Sequence, residues 1–133
     1  MAKYELAVES EFSAAHQIPG HPGPCARMHG HNYRVIARFT GHKLDRMGMV
    51  ADFGELKSLL GDVIGELDHR NLNELPLLEG GPPTTERIAE VVHRGLARLL
   101  ADRTDWRAAD LRLSSVTVWE STRSSVTYSE DDA

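Results

Sequence analysis

The chain has 133 residues and a formal net charge of −5 at pH 7, from 15 lysines and arginines against 20 acidic residues. This length suits a single domain covering residues 1–133, and the acidic balance argues against a nucleic-acid-binding protein, which would carry a basic patch. The single cysteine excludes an internal disulfide bond. We see no signal peptide and no run of about 18 apolar residues that would cross a membrane, so we expect a cytoplasmic protein.

Two strands are predicted in the first third of the chain, because apolar and polar residues alternate there. The first strand places apolar residues on one parity: Tyr4, Leu6, Val8 and Phe12. A loop rich in proline and glycine follows. The second strand places these residues on one parity: His29, His31, Tyr33, Val35, Ala37 and Phe39. Both histidines therefore belong to the start of that strand.

The middle of the chain changes to helical spacing after residues 42–51, which indicate a turn and a short strand. The first helix has Asp52 as its N-cap and an apolar stripe: Phe53, Leu56, Leu60, Val63, Ile64 and Leu67. The second begins after Pro83, with Thr84 or Thr85 as cap, and its stripe is Ile88, Val91, Val92, Leu96, Leu99 and Leu100.

The last third of the chain begins with a polar segment, residues 101–110, which we interpret as a linker. Val116 and Val118 then alternate with polar residues in a third clear strand, and residues 124–129 are compatible with a fourth. Runs of strands and helices, rather than strict alternation, predict an α+β fold with the helices on one face of the sheet.

Three histidines fall where a metal site is possible. Residues two apart on a strand share a face, so His29 and His31 point the same way, and His16 ends the first strand. Three neutral imidazoles with one open position are typical of a catalytic zinc site. The alternative is that these are ordinary residues at a strand end. We give that interpretation to His21 and His42, and we interpret His93 as a polar flank of its helix.

Three further positions carry possible chemistry, and each has a plain structural alternative. Cys25 would act as a base or a fourth ligand beside a metal, or is simply a small apolar residue. Asp68 would orient His69, or the pair is only a charged helix end. Glu120 would accept two N–H groups from a guanidine-like edge, or faces water at the rim of a strand.

The motifs FSAAH, CARMHGHNY, VADFGELK, LDHRNLN, PPTTERIAE and VWES follow one another in a familiar order and spacing. The chain resembles the 6-pyruvoyl-tetrahydropterin synthase / 6-carboxy-tetrahydropterin synthase family over nearly its whole length. The resemblance implies the tunnelling fold, a four-stranded antiparallel sheet with two helices on one face. Three such sheets would close into a twelve-stranded β-barrel, and two rings would stack into a homohexamer with active sites between protomers.

The same resemblance implies a zinc enzyme whose substrate is 7,8-dihydroneopterin triphosphate. The implied site residues are His16, His29 and His31 for zinc, Cys25, Asp68 and His69 for catalysis, and Glu120, Thr84 and Thr85 for pterin binding. The short C-x3-H-G-H spacing resembles the carboxy-forming enzymes of the deazapurine pathway. We therefore favour 6-carboxy-tetrahydropterin formation. The alternatives are pyruvoyl-tetrahydropterin synthesis and a non-catalytic relative that binds zinc or pterin.

Overall fold

The computed structural model describes residues 2–130. Its strands are β1 (Tyr4–His16), β2 (His29–Gly41), β3 (Arg70–Asn71), β4 (Arg112–Ser121) and β5 (Ser124–Tyr128), and its α-helices are α1 (Phe53–Ile64), α2 (Thr85–Ala101) and α3 (Thr104–Ala108). Short 3-10 turns span Pro24–Ala26, Leu72–Glu74 and Pro76–Leu78. The sheet order is β3-β1-β2-β4-β5, antiparallel except for β3 beside β1.

The long pair β1–β2 forms the centre of this α+β fold. The register places His16 opposite His29 and Ala14 opposite His31, so all three histidines lie at the same end of the sheet. The predicted alternation is confirmed on both strands, with Val8, Tyr33 and other residues of their parity buried beneath the helices. The opposite parity carries the polar side chains, which lie on the other face of the sheet.

Helices α1 and α2 pack on one face of the sheet, as predicted. The side chain of Asp52 accepts a hydrogen bond from the backbone N–H of Glu55, which confirms the N-cap of α1. A Cβ at Gly95 would lie 3.1 Å from Val63, so this glycine allows the close approach of the two helices. One residue of the predicted apolar stripe does not reach the core: Phe53, in the first turn of α1, is 54% exposed.

Over residues 2–130 the sheet has five strands and there are three α-helices, one more of each than expected. The strand predicted within residues 42–51 is absent from the described structure, because the Asp45 side chain accepts from the N–H groups of Met47 and Met49 and holds a turn. The added strand β3 follows α1, where the N–H of His69 donates to Ser13 O at 2.6 Å.

The expected linker at residues 101–110 contains α3, which is a correction. This five-residue helix buries Trp106, and the guanidinium of Arg103 stacks 3.7 Å above the indole ring. Arg103 also pairs with Glu55 of α1 at 3.1 Å. The helix is therefore held by contacts with the rest of the fold.

Along the described residues, we find no helix with the length and apolar character needed to span a membrane.

Candidate metal centre and active site

Four side chains from three strands meet at one end of the sheet. They are His16 of β1, His29 and His31 of β2, and Glu120 of β4, and their ligand atoms all lie within 4.8 Å of one another. The β1–β2 register aligns the histidines, and Glu120 shares the parity of the buried Val118. The structure thus brings together the three predicted metal ligands and adds a carboxylate to them.

Backbone carbonyls fix the orientation of two imidazoles. Nδ1 of His16 lies 2.8 Å from the carbonyl oxygen of Pro83, and Nδ1 of His29 lies 2.7 Å from that of Arg27. A carbonyl oxygen only accepts, so each Nδ1 carries a proton, and the neutral form of each ring has its lone pair on Nε2. Such partners are typical of metal-binding histidines, because they set the tautomer and raise ligand basicity.

The third imidazole, His31, has its Nε2 buried and outside hydrogen-bonding geometry. Burial lowers the pKa of His31, the Glu120 carboxylate opposes this shift, and His16 and His29 add to it. His31 is therefore favoured in its neutral form, the form that binds a metal ion. Three imidazoles whose ring nitrogens converge on one point suit a divalent ion such as zinc.

Tyr33 lies beneath the group of three histidines and Glu120. Its hydroxyl lies 3.4 Å from both ring nitrogens of His16, and its ring stacks on Phe12 in the core. Burial raises the pKa of Tyr33, and the nearby charge of Glu120 raises it further, so the phenol stays protonated. The histidine group therefore stands on a rigid apolar base.

Asp68 and His69 form a dyad, an arrangement that sequence reasoning left open. Nδ1 of His69 lies 2.9 Å from Oδ1 of Asp68, which also accepts from the N–H of Ser13 at 2.9 Å. These hydrogen bonds, first that from Ser13 and then that from His69, lower the pKa of Asp68. His69 has a positive φ of 59° and is 81% exposed, and it lines an open cavity beside Gly30.

Cys25 lies in the 3-10 turn before β2 and is half-buried. Its carbonyl oxygen accepts from the N–H of Ile18 at 2.7 Å, which closes the loop. The described group of possible metal ligands contains Glu120 and not this thiol. The geometry therefore does not support Cys25 as a fourth ligand.

The two predicted threonines have different positions. The hydroxyl of Thr84 accepts from the N–H of Arg87 at 3.3 Å and caps α2. Thr85 is buried and lines a small cleft together with Glu120 and Ser124. Only Thr85 therefore has its side chain in a cleft that also contains Glu120.

The family model described as 6-pyruvoyl tetrahydropterin synthase matches residues 5–131. The chain belongs to this family. The match covers both histidine-bearing strands, the Asp68–His69 dyad and Glu120, so it includes every predicted site residue. The predicted family, its fold and an enzyme of the tetrahydropterin synthase type are thereby confirmed.

Known tetrahydropterin synthases resemble the chain in sequence and in structure. A putative 6-carboxy-5,6,7,8-tetrahydropterin synthase of Archaeoglobus fulgidus is 38% identical over 96 residues, which cover 68% of this chain and 78% of the relative. A Synechocystis 6-carboxy-5,6,7,8-tetrahydropterin synthase is 42% identical over 86 residues, 61% of this chain and 65% of the relative. The Caenorhabditis elegans 6-pyruvoyl tetrahydropterin synthase structure has a TM-score of 0.82 at 26% identity, covering 98% of each chain.

Sequence reasoning missed three partners of the site in this tetrahydropterin synthase family member. The carbonyl groups of Pro83 and Arg27 orient histidines, and no side-chain pattern could reveal them. Glu86 lines the cleft beside Glu120. The only sequence feature that could have indicated Glu86 is its position directly after Thr85, at the start of a helix.

The other histidines of this family member lie apart from the site. Nδ1 of His21 accepts from the N–H of Gly23, and Nδ1 of His42 donates to the carbonyl of Ala2, so both stabilise loops. The interpretation of His93 as a polar flank is wrong. Its ring is buried against Tyr128, and burial lowers its pKa, because the helix turns this residue toward the sheet.

Proposed function

We propose that the chain is a zinc-dependent 6-carboxy-5,6,7,8-tetrahydropterin synthase. It would convert 7,8-dihydroneopterin triphosphate to 6-carboxy-5,6,7,8-tetrahydropterin with release of acetaldehyde and triphosphate, in the cytoplasm, within a queuosine-type deazapurine pathway. The observation that carries this proposal is the convergence of three imidazoles beside Glu120 in a member of this family. His16, His29 and His31 would hold the zinc ion, which when bound would polarise a substrate oxygen and acidify the neighbouring C–H bond.

The Asp68–His69 dyad has the form of a proton relay. A carboxylate only accepts, so the proton of His69 lies on Nδ1 and its Nε2 is free to accept another. Asp68 stays ionised because its pKa is lowered, and it would stabilise the imidazolium that forms. Cys25 would be the second proton-transferring group, acting on the substrate from the loop before His29.

The carboxy-forming reaction is favoured by two features. The chain has the short C-x3-H-G-H spacing, and the curated relatives named above carry the 6-carboxy name at 38% and 42% identity. The likeness to the C. elegans structure keeps 6-pyruvoyl-tetrahydropterin synthase as the second candidate. Mass analysis of the pterin formed from 7,8-dihydroneopterin triphosphate distinguishes the two. A pyruvoyl product, or an unchanged substrate, would overturn the proposal.

Glu120 is expected to recognise the 2-amino-4-oxo edge of the pterin. Two N–H groups of that edge match two carboxylate oxygens, as in an arginine–carboxylate pair. With metal in excess, Glu120→Gln should weaken pterin binding by about 10- to 150-fold, because a charge-assisted hydrogen bond contributes roughly 1.5–3 kcal/mol. Calorimetric titration with the pterin product measures this change, and parent-like binding would contradict it.

Active sites are expected to form between protomers of a homohexamer built as a dimer of trimers. The proposal is supported by the position of the dyad, which lies on the edge strand side of β1 and outside the group of possible metal ligands. It is also supported by the edges of the described sheet, β3 and β5, which a closed barrel would pair.

Mixing two inactive variants tests the shared site. Equal amounts of Cys25→Ala and His69→Ala should recover about a quarter of parent activity after subunit exchange, because half of the subunits supply each intact residue at a two-chain site. Each variant carried alone through the same exchange serves as the control. Absence of recovery after exchange has been verified by mass spectrometry would place both residues of a site in one chain.

A further inference from the structure

Glu120 lies in the histidine group at distances that match metal coordination. Its Oε1 is 3.1 Å from Nε2 of His31 and 3.4 Å from Nε2 of His16. Ligand atoms about 2.0–2.1 Å from a tetrahedral ion lie about 3.3–3.4 Å from one another. Among the described residues, the buried Nε2 of His31 makes no hydrogen bond despite the short distance, which leaves it available as a metal ligand.

The strand geometry aims Glu120 at the histidines. The pairing of β4 with β5 shifts register between Trp119 and Ser121, and Glu120 has no partner in β5. Such an irregularity bends a strand and redirects its side chain. Glu120 also follows the parity of Val118, which turns it toward the helix face where the histidines lie. Its ion pairs are with His16 and His31.

We propose that Glu120 is the fourth ligand of the metal ion in the free enzyme and that substrate displaces it. The carboxylate of Glu120 would leave the metal and bind the pterin edge. An oxygen of the substrate side chain would replace the carboxylate as the fourth ligand. This inference rests on the proposed function, because it uses the same carboxylate for pterin recognition. The free enzyme then has a closed set of three imidazoles and one carboxylate, and the reactive open position exists only with substrate bound.

The partly exposed position of Glu120 is suited to such an exchange. Its side chain is 32% exposed, whereas His16 is 1% exposed and held by Pro83. His16 is therefore the fixed member of the set, and Glu120 is more exposed than His16 and than His31, which is 23% exposed. Ligand exchange at Glu120 would couple pterin recognition to opening of the metal site.

Co²⁺ titration of the metal-free protein tests the proposal without turnover. Glu120→Gln and Glu120→Ala should each bind Co²⁺ at least about 10- to 100-fold more weakly than the parent, since loss of an outer partner of a ligand already costs that much. Their Co²⁺ absorption spectra should also differ from that of the parent. Glu86→Gln, which removes the neighbouring carboxylate of the same cleft, is the matched control and should bind Co²⁺ like the parent.

A second arm follows the displacement itself. Addition of 7,8-dihydroneopterin, which keeps the pterin edge and side-chain hydroxyls but lacks the triphosphate, should change the visible spectrum of the Co²⁺-loaded parent. Parent-like Co²⁺ affinity in either Glu120 variant, or weaker affinity with a parent-like spectrum, would overturn the fourth-ligand role. Absence of a spectral change with 7,8-dihydroneopterin would overturn the displacement. A parent that forms no carboxy product while the Co²⁺ results hold would overturn only the proposed function.

Discussion

Replacing Cys25 with alanine is expected to lower turnover by about 10²- to 10⁴-fold, the usual contribution of a positioned acid–base group. Pterin binding should be largely kept, because in the proposed function the thiol would transfer a proton and Glu120 would hold the substrate. The loop should also persist, since its closing hydrogen bond from Ile18 uses the backbone carbonyl of residue 25 and not the thiol. Single-turnover kinetics together with calorimetric binding separate the two effects.

Met28 supplies the control for this variant. It lies in the same loop and is 47% exposed, so Met28→Ala should keep parent turnover and parent binding. The contradictory result is a Cys25→Ala protein that keeps the parent kcat but binds the pterin much more weakly than the parent. Combined with parent-like binding by Glu120→Gln, that result would mean that the two roles are assigned the wrong way round.

Replacing His29 and His31 together with alanine is expected to abolish both metal binding and activity. One imidazole would remain, and a single neutral ligand with a carboxylate cannot form the tetrahedral set that zinc prefers. A chelator should abolish activity in the parent in the same way while the fold survives, because none of the three histidines belongs to the hydrophobic core that holds the fold together. Metal analysis and circular dichroism measure the two outcomes.

The matched control removes two other histidines. His21→Ala/His42→Ala changes the same number of imidazoles in exposed loops, and we expect it to keep the parent metal content. Full metal occupancy in His29→Ala/His31→Ala would contradict the metal site, and metal loss in the control would show that histidine number, and not position, decides binding.

The histidine site could be predicted because strand periodicity is a local property of the sequence. Parity alone places His29 and His31 on one face, and the β1–β2 register adds His16. The carbonyl of Pro83 could not be predicted as a partner of His16, since 67 residues separate them and every residue has a carbonyl. The parity of Glu120 with Val118 places it on the histidine face, but the strand irregularity beside it has no signal in the sequence.

The helix α3 and the strand β3 were also missed because they depend on contacts between distant segments of the chain. Residues 101–110 are polar, and propensity alone does not favour a helix there. The structure forms α3 because Trp106 enters the core and Arg103 reaches Glu55, which lies 48 residues away in the chain. β3 likewise exists only because the chain after α1 meets Ser13 of β1. Contacts between distant segments override local preference at both places.

The ratio of acetaldehyde to triphosphate released from 7,8-dihydroneopterin triphosphate tests the central claim most directly. A carboxy-forming synthase must release one acetaldehyde for every triphosphate, because the side chain loses two carbons as an aldehyde in each turnover. We predict this equal ratio with the metal-loaded protein and neither product after chelation. Triphosphate without acetaldehyde would show a pyruvoyl-forming enzyme and contradict the account, and so would an equal ratio that persists in metal-free protein.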